Sequence, residues 1–400
     1  MLIINKFLQL FNKHFSLLIL SLASFSFFII NIFLKEQLNS EDYGVYSLLI
    51  TYISLLSSFG MLGFEQTLLR NSVIKLKLEI DKALIVPIIF SALLVSLIGS
   101  FLMFNNYNLG LDISLIFLLS LMVILVKLIY NLYRLSSRFV TSQIALNFWK
   151  IALFFVVLFF FFFDYSLSLR DVFLSIIVFF FLSLFLFFGL INKVLFISNL
   201  DFQQVLKQSA LFMLTLFTIS LISFGDRFFI ESRFGLIVLG DYFFYINMFL
   251  FPFSLFQTYI GFKEIVSFKK DFQITVLNSK LLYILKNAIY FSLFLFTTLY
   301  LVDYWNLYNF NISSNLNIII PLIFLGIIKI AYSLLSAAMG AICSDDMLFE
   351  VNVKSILSIL VVMPLIYYFS FNISITLIFI IALWLIRCFI WYNQLQKNEN

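Results

Sequence analysis

Apolar residues run through this chain in blocks of about twenty, each long enough to cross about 30 Å of hydrocarbon as a helix. Polar residues are confined to the short stretches between them. The blocks lie near 15–34, 44–64, 83–104, 113–133, 148–164, 172–192, 209–230, 241–262, 283–302, 318–340, 352–370 and 373–392, which predicts about twelve membrane spans. Within each block the apolar character is continuous, whereas barrel strands would alternate over about ten residues, so the spans are helices. The predicted fold class is an all-α polytopic membrane protein. Lys6 and Lys13 precede the first block, but that block is too long for a signal peptide and no small-residue cleavage site follows it. It reads as the first membrane helix.

Composition agrees with the pattern: 63% of the 400 residues are hydrophobic, 11% are charged and the mean hydropathy is +1.09, values that exclude a water-soluble domain. Counting the connections alternately, one side collects most of the lysines and arginines, among them Lys6, Lys13, Arg70, Lys75, Lys77, Lys193 and Lys270. The other side collects Lys35, Arg170, Arg227 and Arg233. Cytoplasmic loops retain positive charge during insertion, so both termini are expected in the cytoplasm. The net charge of +5 then reflects this bias and contact with anionic headgroups, and no nucleic-acid partner is implied.

Chemistry-bearing residues are few. Cys343 and Cys388 fall on or near the side expected to be cytoplasmic, so no disulfide is expected. His14 is the single histidine, which argues against a zinc site or a histidine-based catalytic group. No phosphate-binding glycine loop is present. No catalytic residue, metal or cofactor is expected.

A weak internal repeat has a period of about half the chain. Asp42-Tyr43-Gly44-Val45-Tyr46 opens the second span and Asp241-Tyr242-Phe243-Phe244-Tyr245 opens the eighth. Gly63-Phe64-Glu65 closes the one and Gly261-Phe262-Lys263-Glu264 closes the other. This predicts two six-helix lobes in parallel duplication, residues 1–194 and 209–400. Between them, residues 195–208 form the expected linker. Phe202, Val205, Leu206 and Ser209 recur there at helical spacing opposite Asp201, Gln204 and Gln208, as in an amphipathic helix lying on the cytoplasmic headgroups.

The stretch from Leu38-Asn39-Ser40-Glu41-Asp42-Tyr43-Gly44 through Leu62-Gly63-Phe64-Glu65 to Arg70 resembles the N-terminal signature of polysaccharide-type flippases, the O-antigen and capsule repeat-unit exporters. A second similar stretch runs from Val205-Leu206-Lys207 through Asp226-Arg227-Phe228 to Gly240-Asp241-Tyr242. That family belongs to the multidrug/oligosaccharidyl-lipid/polysaccharide exporter superfamily, which also contains multidrug and toxin extrusion proteins. The resemblance implies a twelve-helix, two-lobe transporter of the bacterial inner membrane that moves its substrate by alternating access, driven by an ion gradient. It also implies membrane lipids as surroundings, and a glycan polymerase and a chain-length regulator as pathway partners.

Ionisable groups inside the hydrocarbon cost several kcal/mol unless they face water, a partner or a substrate, which makes them functional candidates. Lys329 stands near the centre of the tenth span, beyond easy snorkelling reach. Lys127 lies about two turns from the cytoplasmic end of the fourth span. Lys150 and Arg70 are placed at cytoplasmic helix ends, where they could form a basic vestibule. Asp226 and Arg227 are expected one turn inside the outer end of the seventh span, either as a mutually neutralising pair or as a coupling-cation site and a substrate contact.

The function expected on these grounds is translocation of undecaprenyl-pyrophosphate-linked oligosaccharide to the outer leaflet, with Lys329, Lys127 and Lys150 balancing the diphosphate. Two alternatives stand beside it. One is an ion-coupled drug or small-solute exporter of the same superfamily. The other is a membrane glycan polymerase, disfavoured by short outer loops with few carboxylates.

Overall fold

The computed structural model describes residues 2–71, 73–74, 78–107, 110–136, 138–189, 194–197, 201–306, 308 and 310–397. Lys75, Lys77 and Lys193 of the charge tally and residues 198–200 of the expected linker lie outside them. Helices α1 (Leu2–Gln37), α2 (Ser40–Phe59) and α3 (Phe64–Asn71) come first. Then follow α4 (Lys82–Asn106), α5 (Ile113–Leu135), α6 (Phe139–Phe162) and α7 (Leu169–Phe187). The second half consists of α8 (Phe202–Phe234), α9 (Leu236–Tyr245), α10 (Phe251–Lys270), α11 (Ile274–Tyr304), α12 (Leu316–Ile342), α13 (Asp345–Phe369) and α14 (Ile373–Lys397). Among the described residues eleven helices are long and apolar enough to cross a membrane, or twelve if the bent pair α2 and α3 forms one span. The helical, polytopic fold class holds.

Two spans depart from straight helices. The second breaks at Gly60, turns through Leu62 (φ 46°) and Gly63 (φ 82°), and restarts as α3 at an angle of 42°. Gly63 is fixed by packing as well as by its left-handed backbone. A Cβ placed there would lie 2.3 Å from the Ser209 carbonyl oxygen of α8, too close for any side chain. In the eighth span a π-helical turn at Ile246–Leu250 separates α9 from α10. Pro252 then occupies the first turn of α10, where its missing N–H costs least.

The expectation that the chain is helical throughout needs one addition. Strand β1 (Val73–Ile74) pairs antiparallel with β2 (Leu78–Asp81), and β2 pairs parallel with β3 (Val194–Ile197), setting Ile80 opposite Phe196. This small sheet ties the start of the linker to the connection between the second and third spans. The described part of the linker after β3 continues without a break into the seventh span. From Phe202 it is the first part of the 33-residue α8. Its expected faces are mixed: Val205, Gln208 and Ser209 are buried while Phe202 and Leu206 are exposed. The reason is polar contact with α3, since Asn71 Nδ2 donates to Gln208 Oε1 (2.9 Å) and Thr67 and Ser209 share a 2.9 Å hydroxyl hydrogen bond.

The chain divides into two compact units, Met1–Ser220 with Phe234–Gly240, and Leu221–Arg233 with Asp241–Asn400. In the first, α1 packs on α6, and α5 on α4, α6 and α7. Trp149 of α6 stacks on Phe180 of α7 and meets Phe27 of α1 edge-on. In the second, α12 is the central helix, packed against α10, α11 and α14, with Phe253, Ala288 and Ile330 at one of its apolar centres.

Candidate functional site

The second unit holds a cluster of charged side chains within its spans, carried by the end of α8 and by α12 and α14. Gly235, at φ 87°, reverses the chain in a conformation that L side chains rarely adopt. The reversal brings Tyr242, buried in α9, against Asp226 of α8. The tyrosine hydroxyl donates a 2.6 Å hydrogen bond to Asp226 Oδ2. The other carboxylate oxygen, Oδ1, is buried and has no hydrogen-bond partner among the described residues. A buried carboxylate oxygen in that state is costly and calls for a cation, proton or water.

Space for such an occupant is present. Asp226 lines a cavity of about 20 Å³ together with Gly225, Phe229, Met363, Thr376 and Ile380, enough for one water-sized guest. α8 runs on to Phe234, which sets Asp226 eight residues, about 12 Å, from that helix end. This is deeper than the single turn expected from the apolar block.

Asp226 and Arg227 are close enough for their charges to attract, but their side chains make their nearest contacts with different neighbours. Successive helical residues diverge by about 100°, so they do not face each other. The carboxylate turns to Tyr242, while the Arg227 guanidinium lies over the rings of Phe224 and Phe243, at 5.4 and 5.5 Å. Both groups remain within electrostatic reach of Lys329. Lys329 is thirteen residues from either end of α12, at the centre of its span as expected. Its ammonium lies 5.1 Å from the Trp384 ring centre on α14, and among the described residues no carboxylate comes within ion-pair distance of it.

Below Lys329 the same two helices continue the pattern. Tyr332 packs edge-on against Trp384 and Trp391 and accepts a 3.0 Å hydrogen bond from Arg387 Nε. Arg387 is fully buried between the Tyr332 and Trp391 rings. Sequence reading counted Arg387 only among the positive charges of the side expected to be cytoplasmic, and placed Tyr242 only in the internal repeat and in the second family-like stretch. The available signal was an arginine flanked at helical spacing by Trp384 and Trp391.

The remaining candidates, Lys127, Lys150 and Arg70, lie in the first unit. Lys127 of α5 makes an ion pair with Glu65 of α3 at 3.5 Å and lies over the Tyr130 ring. Lys150 is not at a helix end as expected. α6 begins at Phe139, so Lys150 is eleven residues, about 16 Å, inside it, over the rings of Phe27 and Trp149. The polar residues at 139–147 hid this extension, yet the helix carries them because they bond to its own backbone or to that of α5. Asn147 Nδ2 donates to the Gln143 carbonyl and Ser142 Oγ to the Tyr130 carbonyl. Arg70 is exposed at the end of α3, as expected. Among the described residues no three His, Cys, Asp or Glu side chains gather as a metal site.

No protein-family model matches the chain, and no curated protein matches it by sequence. Solved structures do match. An outward-facing multidrug resistance MATE family transporter of the MOP superfamily is similar at a TM-score of 0.58 and 14% identity, over 96% of this chain and 95% of that one. An inward-facing MATE transporter is similar at a TM-score of 0.55 and 11% identity, over 96% and 98%. A MOP superfamily transporter from Pyrococcus furiosus, described as having a binding pocket of reversed polarity that suggests a different function, is similar at 0.56 and 11%, over 96% and 93%. At these identities the likeness shows the fold, which is that of the MATE transporters. The polysaccharide-type family named from the sequence finds no match among these structures. The oligosaccharide-flippase function expected from the sequence is corrected accordingly: the two MATE structures are described as multidrug resistance transporters, not as oligosaccharide flippases.

Proposed function

We propose that the chain is an ion-coupled exporter of a small solute, with Asp226 as the coupling-cation site. The observation that carries the reading is the half-satisfied carboxylate. Asp226 has one oxygen held by Tyr242, its other oxygen buried without a partner, and a cavity beside it sized for a single small guest.

Lys329 supplies the link from occupancy to movement. While Asp226 is anionic, its charge offsets that of Lys329 at the centre of α12. When a proton or metal cation neutralises the carboxylate, Lys329 loses that offset inside a span, where an uncompensated charge is expensive. α12 and α14, joined by the Lys329–Trp384 contact, are then biased toward a second arrangement. A ligand can shift such an equilibrium only by its differential affinity for the two arrangements, and the resulting coupling between cation and solute is reciprocal. No covalent bond is made or broken.

The reading is tested by expression in a host stripped of its own drug exporters. Cellular accumulation of a panel of dyes and drugs, followed with and without a proton or sodium gradient, should fall for at least one compound. Asp226→Asn should remove the effect. A panel in which no compound's accumulation depends on the protein contradicts the reading.

A further inference from the structure

Beyond the cation site, the second unit contains a groove between two of its helices. α10 and α11 each pack on α12 more closely than on one another. They are bridged at one end by the Lys280–Glu264 ion pair (2.5 Å) and at the other by Phe256 against Phe291, with ring centres 4.7 Å apart. Between the bridges lies an open cavity of about 490 Å³, within the range of small-molecule sites. Ala288 and Ile330 form part of its wall.

The chemistry of the groove is graded along its length. The end near the α10–α11 turn holds Lys263, Glu264 and Lys280, with Lys263 3.9 Å from the same carboxylate that Lys280 binds. Two ammonium groups for one carboxylate leave one net positive charge. Tyr259 and Tyr283 flank this end and are exposed, as tyrosines are at headgroup level. Asn287, two turns further along α11, is exposed, and among the described residues its amide makes no hydrogen bond. From there on the lining is apolar, through Ile284, Ala288 and Phe291. Lys280 to Phe291 is eleven residues, about 16 Å, close to the roughly 15 Å of hydrocarbon in one leaflet.

We propose that this groove is a binding site for one anionic glycerophospholipid of the surrounding bilayer. The excess positive charge at Lys263 and Lys280 meets the phosphate, the Asn287 amide meets an ester carbonyl, and one acyl chain lies along Ile284, Ala288 and Phe291. An anionic lipid is favoured over a zwitterionic one because one net charge on the protein complements one on the headgroup. The site is independent of which solute the chain exports.

The experiment uses the full chain in nanodiscs of equimolar phosphatidylglycerol and phosphatidylcholine, released into native mass spectrometry. Phosphatidylglycerol should be retained over phosphatidylcholine by about fivefold, the factor that one lysine near an anionic surface contributes. Lys263→Gln, an exposed position that folding tolerates, should bring the ratio near one, and Asn287→Leu should lower it. A second measurement places a reporter in the groove. Phe256→Trp should be quenched more by brominated phosphatidylglycerol than by brominated phosphatidylcholine, and adding Lys263→Gln should remove the difference. Equal retention of the two lipids by the wild type overturns the proposal, as do a preference that survives Lys263→Gln and retention of a non-lipid amphiphile in their place.

Discussion

Tyr242 donates its hydroxyl proton to Asp226 Oδ2 across the α8–α9 turn at 2.6 Å, leaving Oδ1 of the same carboxylate buried and unpartnered. The tyrosine positions the carboxylate. Hydrogen bonds to charged groups contribute about 1.5–3 kcal/mol. Tyr242→Phe should therefore keep the fold and lower the solute concentration gradient that a given ion gradient sustains. The cation dependence should shift by roughly tenfold or more, read as the proton or sodium concentration giving half-maximal transport. An unshifted cation dependence would assign Tyr242 a packing role only.

Lys329 is predicted to couple cation occupancy to movement, so its replacement should separate the two. In Lys329→Met the charge is gone while the bulk that packs on Trp384 remains. Downhill solute flux should persist in this variant, but gradient-driven accumulation should fall at least tenfold at normal membrane abundance. Lys329→Arg should retain part of the driven transport, because charge persists while geometry changes. Full driven transport by the Met variant would remove Lys329 from the mechanism.

The Glu65–Lys127 pair makes a separate stability prediction for the first unit. Glu65 is buried and Lys127 is mostly so; removing one partner leaves the other without its counter-charge, at a cost of about 1–3 kcal/mol. Glu65→Gln should lower the thermal midpoint in detergent, whereas Glu65→Leu combined with Lys127→Met should recover much of the loss. A double variant no better than the sum of the two single changes would show that the groups do not interact.

Gly63 permits no side chain, because its backbone is left-handed and its Cα faces the Ser209 carbonyl. Gly63→Ala should cost at least about 2 kcal/mol from backbone strain and displacement of α8. The measurable result is a fall in folded yield and thermal midpoint. An unchanged midpoint would contradict this packing.

Most of the helical frame could be read from the chain because each span is a continuous apolar run, a signal that needs no knowledge of neighbours. Reading failed where tertiary contacts decide. The run 44–64 is unbroken in hydropathy, and although Gly63 was read as closing the span, the left-handed turn at Leu62 and Gly63 and the restart as α3 were not legible, because they depend on packing against α8. Polar residues at 139–147 concealed the first part of α6 and moved Lys150 from the helix interior to its end. Asp226 and Lys329 were recognisable because charge inside hydrocarbon is rare. Tyr242 was not, since its role arises from a residue sixteen positions away across a turn that no periodicity encodes. Arg387 escaped notice for a similar reason, as the rings that enclose it come from both α12 and α14.

The most direct test is cation movement coupled to solute movement in proteoliposomes containing only the purified chain. An outwardly directed gradient of a transported solute should drive uptake of protons or sodium, recorded by an internal pH- or sodium-sensitive dye. Asp226→Asn should abolish that uptake while the protein remains folded and inserted. Coupled cation uptake that persists undiminished in Asp226→Asn would contradict the assignment of the site.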